Sequence, residues 1–95
     1  MRLLIADDEK NIRNGLLSLP WNTIGIQKVY QAENGLEALE ILEGKQIDIV
    51  ISDIKMPGLS GLELAEFVQK NSLDTAVVLL TGFSEFEYAQ KALRN

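Results

Sequence analysis

Ile47-Asp48-Ile49-Val50-Ile51-Ser52-Asp53-Ile54-Lys55-Met56-Pro57-Gly58 is a short apolar run that ends on an acid and passes into a Pro-Gly turn. It is too short for an ordinary helix and rich in β-branched residues, so it reads as a buried strand. Asp53 then stands at the carboxyl end of that strand, where open parallel α/β sheets bind their ligands. A carboxylate there is costly to bury unless it is paired or bound to a metal. Alone, the pattern also suits a strand-ending Asp that caps a loop, so the rest of the chain has to decide.

Outward from this stretch, the same grammar repeats. Leu3-Leu4-Ile5-Ala6 is a short apolar run that stops at Asp7-Asp8-Glu9. It reads as a second buried strand with an acidic cluster at its end. Between Lys10 and Leu19, Ile12, Leu16 and Leu19 recur at helical spacing, and Asp8 is placed to cap that helix. Pro20-Trp21-Asn22 breaks it, Trp21 is expected to cover its end, and Gly25 marks a turn. Val29-Tyr30-Gln31-Ala32 is a more polar strand, expected at an edge, and Asn34-Gly35 turns the chain into a helix bearing Leu36, Leu39 and Leu42.

After the Pro57-Gly58 turn comes a third helix with Leu62, Ala65 and Val68 facing inward. Ala76-Val77-Val78-Leu79-Leu80-Thr81-Gly82 is a further apolar strand that ends on a hydroxyl. Ser84, followed three residues later by Glu87, signals the start of a fourth helix. Phe86 and Tyr88 read as packing residues. Four strand-helix units in strict alternation predict a parallel sheet with helices on both faces. In such a sheet Asp7, Asp8, Asp53 and Thr81 all come to one rim.

Composition narrows the chemistry. The 95 residues suit one small domain, and a net charge of −5 argues against a nucleic-acid surface in this segment. No cysteine and no histidine are present, which removes thiolate sites, imidazole catalysis and the commonest metal ligand. No apolar run approaches the roughly 18 residues of a membrane helix, and the chain reads as cytoplasmic. Clustered carboxylates cannot all stay ionised without a counter-cation, and a hard ion such as Mg2+ with oxygen ligands meets that need. A carboxylate can also act as a nucleophile and form an aspartyl phosphate. Thr81 and the Gly82 amide then serve as donors to phosphoryl oxygens.

Four segments carry a family resemblance: Leu-Ile-Ala-Asp-Asp-Glu at 4–9, Ala-Glu-Asn-Gly at 32–35, Asp-Ile-Lys-Met-Pro-Gly at 53–58 and Leu-Leu-Thr-Gly at 79–82. Together, and in this order, they resemble the receiver domain of two-component response regulators along the whole chain. The resemblance implies a flavodoxin-like doubly wound sheet of strand order 2-1-3-4. It implies that Asp53 accepts a phosphoryl group from a sensor histidine kinase. Asp7, Asp8, Asp53 and the main-chain carbonyl of Lys55 are implied to arrange Mg2+, with Thr81 as the switch hydroxyl. Lys55 and Phe83 are implied to flank the path of the hydrolytic water and tune the phosphate's lifetime. Such a domain signals, assisting its own phosphorylation and dephosphorylation, and is not an enzyme of the usual kind. Pro20-Trp21, Gly25-Ile26 and Phe86-Glu87-Tyr88-Ala89 look like the subfamily joined to an AraC-type DNA-binding output domain.

The family pattern also has a fifth strand carrying a Lys, and neither Lys70 nor Lys91 falls at a predicted strand end. Residues 1–95 are therefore expected to be a receiver domain without its last β-α unit and without its output domain. The uncovered fourth strand, together with apolar surface around Ile12 and Leu16, is expected to drive self-association. Two other functions stay open at this point. A haloacid-dehalogenase-like phosphatase also uses an aspartyl nucleophile and Mg2+. Its nucleophile lies on the first strand and needs a second acid two residues on; here Asp7 is followed at that distance by Glu9 and Asp53 by Lys55, so the pattern fails. A receiver-like module that binds partners without phosphorylation is the other.

Overall fold

Four apolar runs form the strands β1 (Arg2–Ala6), β2 (Lys28–Ala32), β3 (Ile49–Asp53) and β4 (Ala76–Leu80). They make one sheet of order β2-β1-β3-β4, with every neighbouring pair parallel. The computed structural model describes residues 1–80. The strand order and the flavodoxin-like winding agree with the reading of the sequence. Thr81, Gly82 and Phe83, with the helix expected from Ser84, lie outside the described residues.

Three helices connect the strands: α1 (Lys10–Leu17), α2 (Gly35–Gly44) and α3 (Gly61–Lys70). β1 is central, and its side chains divide between two cores. Leu4 and Ala6 face a core built with Ala38 and Leu42 of α2 and Leu64 and Val68 of α3. Leu3 and Ile5 face the opposite side, where Leu16, Leu17 and Trp21 cover them. Alternate residues of one strand buried on both faces are what a doubly wound sheet requires. β2 is the more polar edge, as expected. Its Lys28 lies over the Tyr30 ring at 5.5 Å, and a charged residue of this kind discourages pairing with another chain.

Several details differ from the periodicity reading. In α1 the one buried residue is Arg13, while Ile12, and Leu19 just past the helix, are about half exposed. The exposure of Ile12 agrees with the apolar surface expected to be uncovered around it. The side chain that caps α1 belongs to Glu9, which accepts from the Ile12 amide at 2.9 Å, and not to Asp8. In α2 the inward positions are Gly35, Ala38 and Leu42, while Leu36 is exposed. In α3 Gly61, Leu64 and Val68 face inward in place of Leu62 and Ala65.

Other local readings agree with the structure. Trp21 opens a 3-10 turn (Trp21–Ile24), and its Nε1 donates to the Leu16 carbonyl at 2.7 Å, covering the end of α1. Gly25 follows with φ +88°, in the left-handed region that favours glycine. α3 starts with a capping box that sequence reasoning overlooked. Ser60 accepts from the Glu63 amide, and the Glu63 carboxylate accepts from the Ser60 amide at 3.0 Å.

Candidate functional site

Parallel pairing sends β1 and β3 out of the sheet side by side, since Ala6 is registered with Ser52. The next residues, Asp7 just past the end of β1 and Asp53 at the end of β3, therefore stand side by side. Carboxylate oxygens of Asp7, Asp8 and Asp53 lie within 4.8 Å of one another. Residues far apart in sequence meet here because each ends a neighbouring strand, as the sequence indicated.

The three acids sit in different environments. Asp7 is only 2% exposed, Asp53 is half-buried and Asp8 is exposed. Burial pushes the Asp7 carboxyl above its ordinary value, and the neighbouring charges of Asp8 and Glu9 add to that rise. The Glu9 amide, which donates to Asp7 Oδ1 at 2.8 Å, and the Arg13 guanidinium work in the opposite direction. A buried acid crowded by like charge is a site of stored electrostatic cost, which a cation relieves.

The donor set fits a hard divalent ion. Mg2+ binds oxygen at about 2.0–2.1 Å, so its ligands stand roughly 3–4 Å apart. Oxygens already within 4.8 Å need only small side-chain adjustments to reach that spacing. Glu9 does not join them, and its carboxylate accepts from the Ile12 amide of α1. The side chain of Lys55, two residues past Asp53, is exposed.

Glycines hold the loop after Asp53 in place. Gly58 has φ +83°. A Cβ at Gly61 would stand 2.3 Å from the Asp53 carbonyl oxygen, and one at Gly35 would stand 2.0 Å from that of Leu59. The start of α3 thus packs on the backbone of Asp53, and the start of α2 packs on the β3–α3 loop. This gives the Ala32-Glu33-Asn34-Gly35 segment a physical role. Asn34 caps α2 by accepting from the Glu37 amide at 2.8 Å, and Gly35 permits the close approach.

Two polar residues at the site carried no signal in the sequence. Ser52 is fully buried and its hydroxyl donates to the Asp53 carbonyl at 2.8 Å. Arg13 is 9% exposed and donates through Nη1 to the Asp7 carbonyl at 2.7 Å. β4 ends with Leu80 registered opposite Asp53.

Residues 3–95 match the family described as the response regulator receiver domain. The chain is 43% identical over 94 residues to the uncharacterized transcriptional regulatory protein YesN of Bacillus subtilis, covering 98% of this chain and 26% of that protein. It is 34% identical over 95 residues to the transcriptional regulatory protein HptR of Staphylococcus aureus, covering 99% of this chain and 37% of that protein. The chain therefore spans roughly a quarter to two-fifths of the curated relatives it matches. Among solved structures, it resembles a two component transcriptional regulator AraC from Clostridium phytofermentans. The TM-score is 0.89 at 32% identity, over 97% of this chain and 72% of that one. The REC domain of the response regulator AraT from Geobacillus stearothermophilus gives a TM-score of 0.87 at 38% identity, over 98% of this chain and 73% of that one.

Proposed function

Since the chain belongs to the family of response regulator receiver domains, we propose that it accepts a phosphoryl group on Asp53 from the phosphohistidine of a sensor kinase. The observation that carries this reading is the convergence of the Asp7, Asp8 and Asp53 carboxylates at one rim. An Asp53 carboxylate oxygen attacks phosphorus. The new O–P bond forms as the P–N bond to the kinase's imidazole breaks, and the imidazole nitrogen keeps the electron pair. Asp7, Asp8, Asp53 and the Lys55 main-chain carbonyl would hold Mg2+. Bound there, Mg2+ neutralises charge on the phosphoryl oxygens. The register of Leu80 beside Asp53 supports Thr81, the next residue in the chain, as the switch hydroxyl. The Gly82 amide is a further donor, and Lys55 and Phe83 flank the path of the hydrolytic water.

On this reading the domain is a signalling element that assists its own phosphorylation and dephosphorylation. The short span of each relative that the chain covers supports residues 1–95 as the receiver part of a longer transcriptional regulator. Similarity to the AraC and AraT response regulators supports an AraC-type output domain as its partner. The acidic balance of the chain, net −5, supports leaving DNA contact to that output domain, in the cytoplasm. Among the described residues no helix is long and apolar enough to cross a membrane.

Incubation with a small phosphodonor, read by intact mass, tests the proposal. One phosphoryl group is expected in the presence of Mg2+ and none after chelation. Asp53→Asn is expected to take up none under either condition. Equal labelling of wild type and Asp53→Asn would overturn the assignment.

We also propose that the 95-residue chain self-associates. Among the described residues β4 is paired on one side only, by β3, and its Val78 is 47% exposed. An apolar strand without a charge or proline is a poor barrier to edge pairing. Sedimentation at micromolar concentration is expected to show dimers or larger species, and a single monomeric boundary would contradict this.

A further inference from the structure

Arg13 is the one buried residue of α1, and it is a cation that donates into the rim that carries the acids. Its Nη1 donates to the main-chain carbonyl of Asp7 at 2.7 Å, and its Nε donates to Gln31 Oε1 of β2 at 3.2 Å. The Asp7 amide donates to the Ala32 carbonyl, also of β2, at 3.1 Å. Both polar groups of the Asp7 peptide backbone are thus tied, directly or through Arg13, to the edge strand. The Asp7 carboxylate in turn receives the Glu9 amide, and Glu9 caps α1. The chain of hydrogen bonds runs from β2 through Arg13 to Asp7 and back into the helix that bears Arg13.

We infer that Arg13 is a positioning residue for the acidic site, holding the Asp7-Asp8 segment against β2 so that both carboxylates face Asp53. This rests on the reading of Asp7, Asp8 and Asp53 as a Mg2+ site. A planar guanidinium can reach two acceptors at fixed angles, whereas a lysine ammonium acts as a point donor. The geometry also separates positioning from charge. A positive group this close to the site repels a bound cation, so on Coulomb grounds alone its removal strengthens Mg2+ binding. Positioning predicts the opposite sign.

The test is a Mg2+ titration of the full chain, followed by the amide resonances of Asp8 and Asp53 at a temperature where melting shows each variant folded. Arg13→Met is expected to weaken Mg2+ binding at least about five-fold, and Arg13→Lys to fall between it and wild type. Val68→Ala, which loosens the far core beside α3, is expected to lower stability and leave Mg2+ affinity unchanged. Affinity equal to or tighter than wild type in Arg13→Met overturns the inference, as does equal weakening in Val68→Ala. If Arg13→Met does not fold, Arg13→Lys decides: it keeps the charge and loses the two-point contact, so undiminished binding overturns the inference. Absence of Mg2+ binding by the wild type would overturn the metal-site reading with it. Binding by the wild type that survives in the Arg13 variants overturns this inference alone.

Discussion

Asp7→Asn is expected to make the metal-free domain more stable while weakening Mg2+ binding by on the order of tenfold or more. The two effects share one cause. Asp7 is 2% exposed and stands among Asp8 and Glu9, and burial raises its carboxyl above the ordinary value of 3.8. A folded state that binds a proton more tightly than the unfolded chain is destabilised when that proton leaves. At low pH both states hold the proton and the penalty is absent. It develops as pH rises from about 3.8 and is complete once pH has passed the raised folded value. Asparagine keeps the acceptor for the Glu9 amide and carries no charge. A gain of about 0.5–2 kcal/mol is typical of a single stabilising change, and in a domain this small each kcal/mol moves the melting temperature by about 4–8 °C. The metal loses one full charge beside it, worth more than the roughly 1.4 kcal/mol that a factor of ten requires. Paired melting curves with a chelator at acidic and neutral pH check the sign. The advantage of Asp7→Asn should grow toward neutral pH, and a constant or shrinking difference would contradict the account.

Gly61→Val should have a large effect on the fold and on the site together. Replacing a helical glycine with alanine ordinarily stabilises a helix by up to about 1 kcal/mol. At the start of α3 the sign inverts, because an added Cβ would lie 2.3 Å from the Asp53 carbonyl oxygen and 3.0 Å from Leu79 Cδ2. The nearer neighbour is main chain and cannot swing aside. Either α3 moves outward, or the end of β3 moves with Asp53 on it. Overpacking against side chains costs about 1–3 kcal/mol, and valine against backbone belongs at or above the top of that range. The expected loss is on the order of 10–20 °C in melting temperature. Any folded remainder should accept phosphate at least about ten times more slowly, because misplacing a reacting group by an ångström costs rate steeply. Gly15, with nothing within 4 Å of an added Cβ, provides the control. Gly15→Ala should leave stability unchanged or raise it.

The strand-level pattern was legible because each strand is short, apolar and closed by a turn or an acid. Parallel alternation then brought Asp7, Asp8 and Asp53 to one rim without knowledge of any distance. Helix faces were harder to read. Hydropathy alone placed Ile12 inward in α1 and Leu62 inward in α3, but the sheet beneath those turns decides which side is buried. At the first turn of α1 the Asp7 carbonyl and the Gln31 side chain offer acceptors, so Arg13 is buried there. Capping followed the same logic. Asp8 is nearer the rim and joins the acid cluster, leaving Glu9 to accept the Ile12 amide. Gly35 and Gly61 looked like turn residues in the sequence. Their role comes from close approach to the carbonyls of Leu59 and Asp53, which no local pattern announces.

The identity of the phosphorylated residue tests the central claim most directly. Phosphorylation with a small phosphodonor and Mg2+, reduction of the acyl phosphate with borohydride, and fragment sequencing of the peptides spanning Leu3 to Lys10 and Ile47 to Leu62 would locate it. The account predicts that the reduced residue, a homoserine, stands at position 53 and nowhere else. Reduction at Asp7 or Asp8, or a phosphoryl group that survives borohydride on a hydroxyl, would contradict it.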